Sequence, residues 1–458
     1  MSAQKHSMDM CSGPLFRKII LYAIPLIASS MIHQLFSAAD LIVVGRFSSH
    51  QDMAAVGSCL PVCGLIVNVF FGISIGAGVL AANGIGAKDK MLTSRSIHTA
   101  MMVSGIGGAV LMLLGLCITT PLLHLMDTPD NVMDKAAWYM RIYCLGLPTL
   151  SIYVYGAALM RAMGDTKRPL YYLIFSGIVN VVLNYILVAF FSMGAVGVSI
   201  ATMFSFVLSA YLVVRALMGM KGALKLKKSL LKVDFSIFRK MLWIGLPAGI
   251  QGSFFAISNF VLQGATNSFG SAAMAGNAAA LNIECIIYSA CFAFNQTATS
   301  FAGQNYGAKN YKRVAQSALY CVYISGAGVG LLGLVCTVFG RELISIYNPD
   351  PVVVDWGMQR LVVVFISYAI CAVMDCITGA LRGIGHSLAP MLVTFFGVCF
   401  LRIFWTWWVF PLHPTLGMLM GCYPVSWTIT ALLTGGHLYY LLKKLLHNST
   451  SHYSVVSR

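Results

Sequence analysis

Long apolar stretches separated by short polar turns run the length of the chain. Each holds the roughly 20 residues of helix needed to cross about 30 Å of hydrocarbon. They fall at about 19–45, 53–83, 96–121, 136–160, 170–190, 194–218, 241–267, 275–304, 316–340, 352–381, 388–410 and 417–442. Runs of this length exclude a β-barrel, whose strands read as alternating segments of about ten residues. The pattern predicts an all-α integral membrane protein with twelve transmembrane helices.

The two halves repeat one another. Arg17, Lys18 and Pro25 return as Arg239, Lys240 and Pro247, and Gly86-Ala87-Lys88 returns as Gly307-Ala308-Lys309. Arg161, Gly164 and Pro169 return as Arg382, Gly385 and Pro390. With an even number of spans in each half, both halves enter the membrane from the same side, which predicts two parallel six-helix repeats with a substrate cleft between them. The expected organisation is a short N-terminal segment (1–16), a first lobe (17–218), a basic linker (219–240), a second lobe (241–442) and a C-terminal tail (443–458).

Composition closes off other classes. With 58% hydrophobic and 10% charged residues, the chain has too little polar surface for a water-soluble fold. Most of its 30 Lys and Arg residues fall in the segments facing one side, among them Lys5, Lys88, Lys90, Arg95, Lys167, Arg168, the run Lys221–Lys232, Lys309, Arg313 and Arg458. That bias predicts a cell-membrane protein with both termini cytoplasmic. Asp127, Asp130, Asp134, Asp350 and Asp355 fall on the opposite side. The net charge of +16 therefore needs no nucleic-acid partner, and the basic linker reads as lying against anionic membrane lipids. The first apolar run is too long for a signal-peptide core, so the first helix is expected in the mature protein.

Thirteen cysteines are scattered without a C-x-x-C pair or zinc spacing, and no phosphate-cradling glycine loop is present. No cofactor is expected, and a membrane-embedded enzyme would need a nucleophile or metal constellation that these spacings do not assemble. Without a nucleotide-binding domain, any active transport must draw on an ion gradient.

Charge inside the membrane is costly, about 3 kcal/mol on lenient scales, so in-span acids are the first functional candidates. There are three: Asp40, Glu284 and Asp375. His33, Ser37 and Asp40 form a polar stripe on one face of the first span, with Gln34 beside it. Asn180 and Asn184, one turn apart on the fifth span, and Thr202 on the sixth add oxygen donors. One carboxylate with these donors could hold Na+, or set the affinity of Asp40 for H+. In the second half Arg402 is the expected counter-charge of Glu284 and Asp375, a charged network that is either static or ion-coupling. Arg141 and Arg360 are expected to snorkel to the interface. Pro25 and Pro247 each remove a backbone hydrogen bond from a span and are candidate hinges.

Taken together, Ala38-Ala39-Asp40-Leu41-Ile42-Val43-Val44-Gly45, the loop from Arg161 to Pro169, Asn180-x-x-x-Asn184 and Gly303-Gln304-Asn305-Tyr306-Gly307-Ala308-Lys309 resemble the multidrug and toxic compound extrusion (MATE) family over residues 15–445. The resemblance implies a V-shaped bundle, functional as a monomer, that exports amphipathic and often cationic compounds in exchange for H+ or Na+. It places Asp40, Asn180, Asn184 and Thr202 on the family's first-lobe cation site. Some members carry an acid where Asn184 stands, and others carry one in the middle of the seventh helix, where this chain reads Gly252-Ser253-Phe254-Phe255-Ala256. Glu284 and Asp375 would then have to supply any second-lobe site. The alternative within the same superfamily is a flippase for lipid-linked oligosaccharides.

Overall fold

The computed structural model describes residues 7–126 and 128–456; Lys5, Asp127 and Arg458, counted above, lie outside them. The chain folds into helices α1 (Leu15–Phe47), α2 (His50–Gly86), α3 (Lys90–Leu125), α4 (Asp130–Ala162), α5 (Lys167–Tyr185), α6 (Gly194–Met218), α7 (Phe235–Asn267), α8 (Ser271–Gly307), α9 (Tyr311–Val338) and the short α10 (Gly340–Ser345). After these come α11 (Pro351–Ile366), α12 (Tyr368–Gly383), α13 (Leu388–Thr394), α14 (Leu401–Phe404), α15 (Leu416–Met420) and α16 (Cys422–Val456). Among the described residues eleven helices are long and apolar enough to cross a membrane, and α11 with α12 makes a twelfth span bent by 45°.

That bend departs from the single helix expected over 352–381. At the break the Ser367 hydroxyl donates to the carbonyls of Val363 and Val364, at 2.9 and 2.8 Å. Back-bonding of this kind competes with the helix ladder and bends it. The span expected over 388–410 is likewise not uniform: π turns at Phe395–Phe400 and Trp405–Val409 interrupt it.

The duplication is visible in the backbone. Lys88 and Lys309 take left-handed φ values of 54° and 56°, and each is followed by a helix cap. Asp89 accepts from the amides of Met91 and Leu92 at the start of α3, and Asn310 accepts from Arg313 at the start of α9. Gly164 and Gly385, in the repeated Arg-x-x-Gly turn, have φ of 85° and 89°, a region open to glycine and strained for most other residues.

Contacts divide the chain into two units, Met1–Asp9 with Ala28–Gly249, and Met10–Ile27 with Ile250–Arg458. Both α1 and α7 are thus shared, and in each the division falls just past its proline, Pro25 or Pro247. In the first unit α4 packs against α2, α3 and α6, and the N-terminal half of α7 lies on α2. That crossing depends on glycine. A Cβ on Gly76 would sit 2.2 Å from the Met241 carbonyl oxygen, and one on Gly245 would sit 2.6 Å from the Cα of Ile73. Backbone approach of this kind gives membrane helices the packing that lipid exclusion alone does not. In the second unit α12 packs against α8, α9 and α16. The N-terminal half of α1 joins it: the Tyr22 hydroxyl donates to Ser300 at 2.9 Å, and Arg313 donates to the carbonyls of Met10, Ser12 and Gly13.

Candidate functional site

The first unit encloses a cavity of about 340 Å³ between α1, α2, α4, α5 and α6. The spacing of the α1 stripe explains its wall. His33, Ser37 and Asp40 recur at helical intervals and all three line the cavity, whereas Gln34, turned off that face, is exposed and outside the described lining. Opposite them stand the rings of Tyr139, Tyr143 and Tyr153 from α4. Asp40 is the sole carboxylate in the described lining.

Asp40 anchors a chain of side-chain hydrogen bonds. The Asn184 amide nitrogen donates to Asp40 Oδ1 at 2.5 Å and faces Asn180 Oδ1 at 3.3 Å. Asn180 in turn donates to the Thr202 hydroxyl at 3.4 Å. The four residues named from the sequence are therefore contiguous. Their placement follows from local structure: the two asparagines sit one turn apart on α5, and Ser205 and Ser209 of α6 hold α5 in register through the Ser176 carbonyl and hydroxyl, at 3.0 and 2.7 Å. A π turn, Ile186–Phe190, begins directly after this stretch of α5, a deviation that recurs at functional positions in helices. Asn184 is fully buried, and its Oδ1 has no hydrogen-bond partner among the described residues. An acceptor left over beside a carboxylate gives the cluster room to respond to a proton or cation.

In the second unit the charges are arranged differently from the expectation. Glu284 pairs with Arg360 at 2.5 Å, not with Arg402, and also accepts from the Tyr368 hydroxyl at 2.8 Å. Arg360 does not snorkel. It is 2% exposed and donates further to Asn277 Oδ1 at 3.0 Å and to the Tyr423 hydroxyl at 3.3 Å. The spacing of α11 accounts for this, because Val353, Gly357, Leu361 and Val364, at helical intervals around Arg360, are all buried. That signal was present in the sequence and outweighs nearness to the helix end. Arg141 is half-buried over the Trp138 ring and donates to Thr120.

Arg402 is held by α16 and α7. Its guanidinium lies 4.1 Å from the Tyr423 ring centre and 5.8 Å from that of Trp427, and it donates to Ser426 and Asn259. These aromatic faces fix the side chain away from the two acids, so Glu284, Asp375 and Arg402 do not form one three-charge cluster. Asp375 takes part in no ion pair within 4 Å among the described residues; Arg382, two turns further along α12, donates to Gln251 at 2.6 Å. Gln251 hands the chain on to Thr394 at 2.7 Å. This Arg382, Gln251 and Thr394 relay was not anticipated. No group of three or more His, Cys, Asp or Glu residues able to hold a metal occurs among the described residues.

Duplicated bundles of membrane-spanning helices around a cavity with one carboxylate have the build of a multi-pass membrane transporter. The MatE family profile matches residues 25–186 and again residues 247–408, once in each half, and the chain belongs to that family. It is similar to the probable multidrug resistance protein YoeA of Bacillus subtilis, 25% identical over 445 residues covering 94% of both chains. The probable multidrug resistance protein NorM of Thermotoga maritima is 24% identical over 84% of both chains. A FAD transporter of Shewanella oneidensis is 23% identical over 85% of this chain and 87% of its own. Among solved structures, an outward-facing multidrug resistance MATE family transporter superposes with a TM-score of 0.88 at 19% identity, over 96% of this chain and 98% of the other. A MOP superfamily transporter from Pyrococcus furiosus, described as having a binding pocket of reversed polarity, gives 0.88 at 19% identity, over 95% and 98%. These matches establish the all-α MATE fold. They do not favour the lipid-linked oligosaccharide flippase.

Proposed function

We propose that this chain is a cell-membrane antiporter, with both termini cytoplasmic, that exports amphipathic and often cationic small molecules in exchange for an inward-moving cation at Asp40. The observation that supports this most is the lone carboxylate of Asp40 in a cavity walled by Tyr139, Tyr143 and Tyr153. An aromatic wall offers π faces to an organic cation, and the carboxylate offers the opposite charge. The names of its relatives agree with drug export.

Of the two coupling ions, H+ fits the cluster better than Na+. Asp40 is the sole carboxylate in the described lining, so a Na+ there would find no second negative charge, whereas one carboxylate suffices for a proton. In the proposed cycle, ionised Asp40 holds the exported cation; a proton entering from outside neutralises Asp40, α1 shifts about Pro25, and the cavity narrows and releases its cargo. Pro247 serves as the matching hinge in α7. The division of both helices between the two units just past these prolines supports the assignment. Asp375 with Arg382 is a second candidate for ion coupling.

Direct competition requires reciprocity: cargo and coupling ion must weaken each other's binding by the same factor. The test is the binding of ethidium to purified protein, followed with the protons released into weak buffer. Proton release on ethidium binding that disappears in Asp40→Asn supports the proposal. Ethidium binding without proton release in the wild type, at constant Na+, contradicts H+ coupling at Asp40.

A further inference from the structure

Arg402 is the buried charge that the antiport scheme does not use. It is 1% exposed, and no carboxylate lies within 4 Å of it among the described residues. The nearby Arg360 is already neutralised by Glu284. Arg402's three nitrogens are unequal. Nε donates to Ser426 Oγ and Nη1 to Asn259 Oδ1, both at 3.1 Å, while the buried Nη2 has no hydrogen-bond partner among the described residues. Hydroxyl and amide partners share a guanidinium's charge without cancelling it, and a buried cation lacking a counter-ion is held at considerable cost.

The surroundings indicate what would relieve that cost. Asn259 Oδ1 accepts simultaneously from Arg402 Nη1 and, at 3.2 Å, from the Tyr423 hydroxyl. Asn259, whose Oδ1 is the oxygen on which the two donors converge, is also the exposed member of the group, so the cluster is reached through this side chain. An anionic oxygen arriving there could displace the amide, take over both of its donors and engage Nη2 as well. Tyr423 and Trp427, whose rings pack edge to face at 5.4 Å, provide an aromatic floor beneath. Charge-assisted bonds to a forked guanidinium are the usual means of fixing a carboxylate or phosphate.

We propose that Arg402, Tyr423 and Asn259 form an anion-binding site in the second unit that takes the carboxylate or phosphate group of an anionic or zwitterionic substrate. The inference rests on the transport reading only for the word substrate, since binding itself can be measured without transport.

A matched pair of probes tests it: flavin mononucleotide and riboflavin, which share one ring system and differ by a phosphate. Binding is read by quenching of flavin fluorescence on full-length protein in neutral detergent. The wild type should bind the mononucleotide about tenfold or more tighter than riboflavin, as expected for one charge-assisted contact. Arg402→Gln should reduce mononucleotide affinity to the riboflavin level and leave riboflavin unchanged, which also controls for folding; Arg402→Lys should keep part of the preference. Displacement of the mononucleotide by phosphatidylglycerol, with the same dependence on Arg402, would support the site and assign it to a lipid headgroup. Equal affinities in the wild type, a preference that survives in Arg402→Gln, or no mononucleotide binding at millimolar concentration would each overturn the proposal. Failure of ethidium binding or export would sink the antiport scheme and leave this result standing.

Discussion

Replacing Glu284 by Gln isolates the energetics of the second unit, because it removes a charge while nearly preserving shape. The partner left behind is Arg360, 2% exposed, which donates through Nε and Nη2 to Glu284 Oε2 at 3.1 and 2.5 Å. Removing one partner of a buried pair costs about 3–5 kcal/mol, because the other charge stays buried and uncompensated. Two features place this case at the lower end. Arg360 keeps its bonds to Asn277 and Tyr423, and the Glu284 side chain is 13% exposed, so the pair is not completely sealed. A loss of about 3 kcal/mol is therefore expected, a factor of about a hundred in the unfolding equilibrium. Reversible unfolding by SDS in mixed micelles measures it, with Arg360→Gln and the double variant completing the cycle. The double variant should be less destabilised than the sum of the singles by about 2 kcal/mol or more, since it strands no charge. A Glu284→Gln protein within about 1 kcal/mol of wild type, or strict additivity in the cycle, would show that the pair is not held as a buried unit.

Three further outcomes follow from the same geometry. Gly76→Ala puts a Cβ 2.2 Å from the Met241 carbonyl oxygen and should destabilise by about 1–3 kcal/mol, whereas Gly105→Ala, with nothing within 4 Å, should be near neutral; thermal midpoints of the two purified variants decide. Asn184→Ala removes the donor at Asp40 and should slow gradient-driven ethidium export about tenfold without loss of folded protein, as expected for one hydrogen bond to a charged group; an unchanged rate would remove Asn184 from the site. Asp234 accepts from Arg95 Nε at 2.6 Å, and that bond holds its carboxyl below the usual carboxylate range, with smaller help from the amides of Ile237 and Ser236. Because the folded-state value is depressed, the clamp is complete at neutral pH and is lost only on acidification through that lowered value. Asp234→Asn should therefore free the basic linker at pH 7 and speed tryptic cleavage between Lys225 and Lys232, and cleavage at the wild-type rate would show that the clamp does not hold the linker.

The sequence was most informative where physical cost forces a pattern. An acid in an apolar span is hard to explain as packing, whereas two asparagines one turn apart serve equally as glue between helices; Asp40, Asn184, Asn180 and Thr202 do lie in one chain of hydrogen bonds. Arg360 was misplaced because nearness to a helix end was weighed above its position on a buried face. The bend at Ser367 was not legible either, since serine sits within many straight helices and only its bonds to Val363 and Val364 reveal the break. The prolines of α1 and α7 could be seen, but not that each helix changes packing partners just beyond them. That exchange depends on close glycine contacts such as Gly76 with Met241, which are tertiary and leave no local periodicity.

Coupled export through Asp40 is tested most directly by ethidium efflux from proteoliposomes, with H+ and Na+ gradients imposed separately, for the wild type and Asp40→Asn. The expected result is export driven by the H+ gradient alone in the wild type and abolished in Asp40→Asn protein that remains folded. Export undiminished in Asp40→Asn would contradict the assignment of coupling to Asp40, and wild-type export driven only by Na+ would contradict the choice of ion.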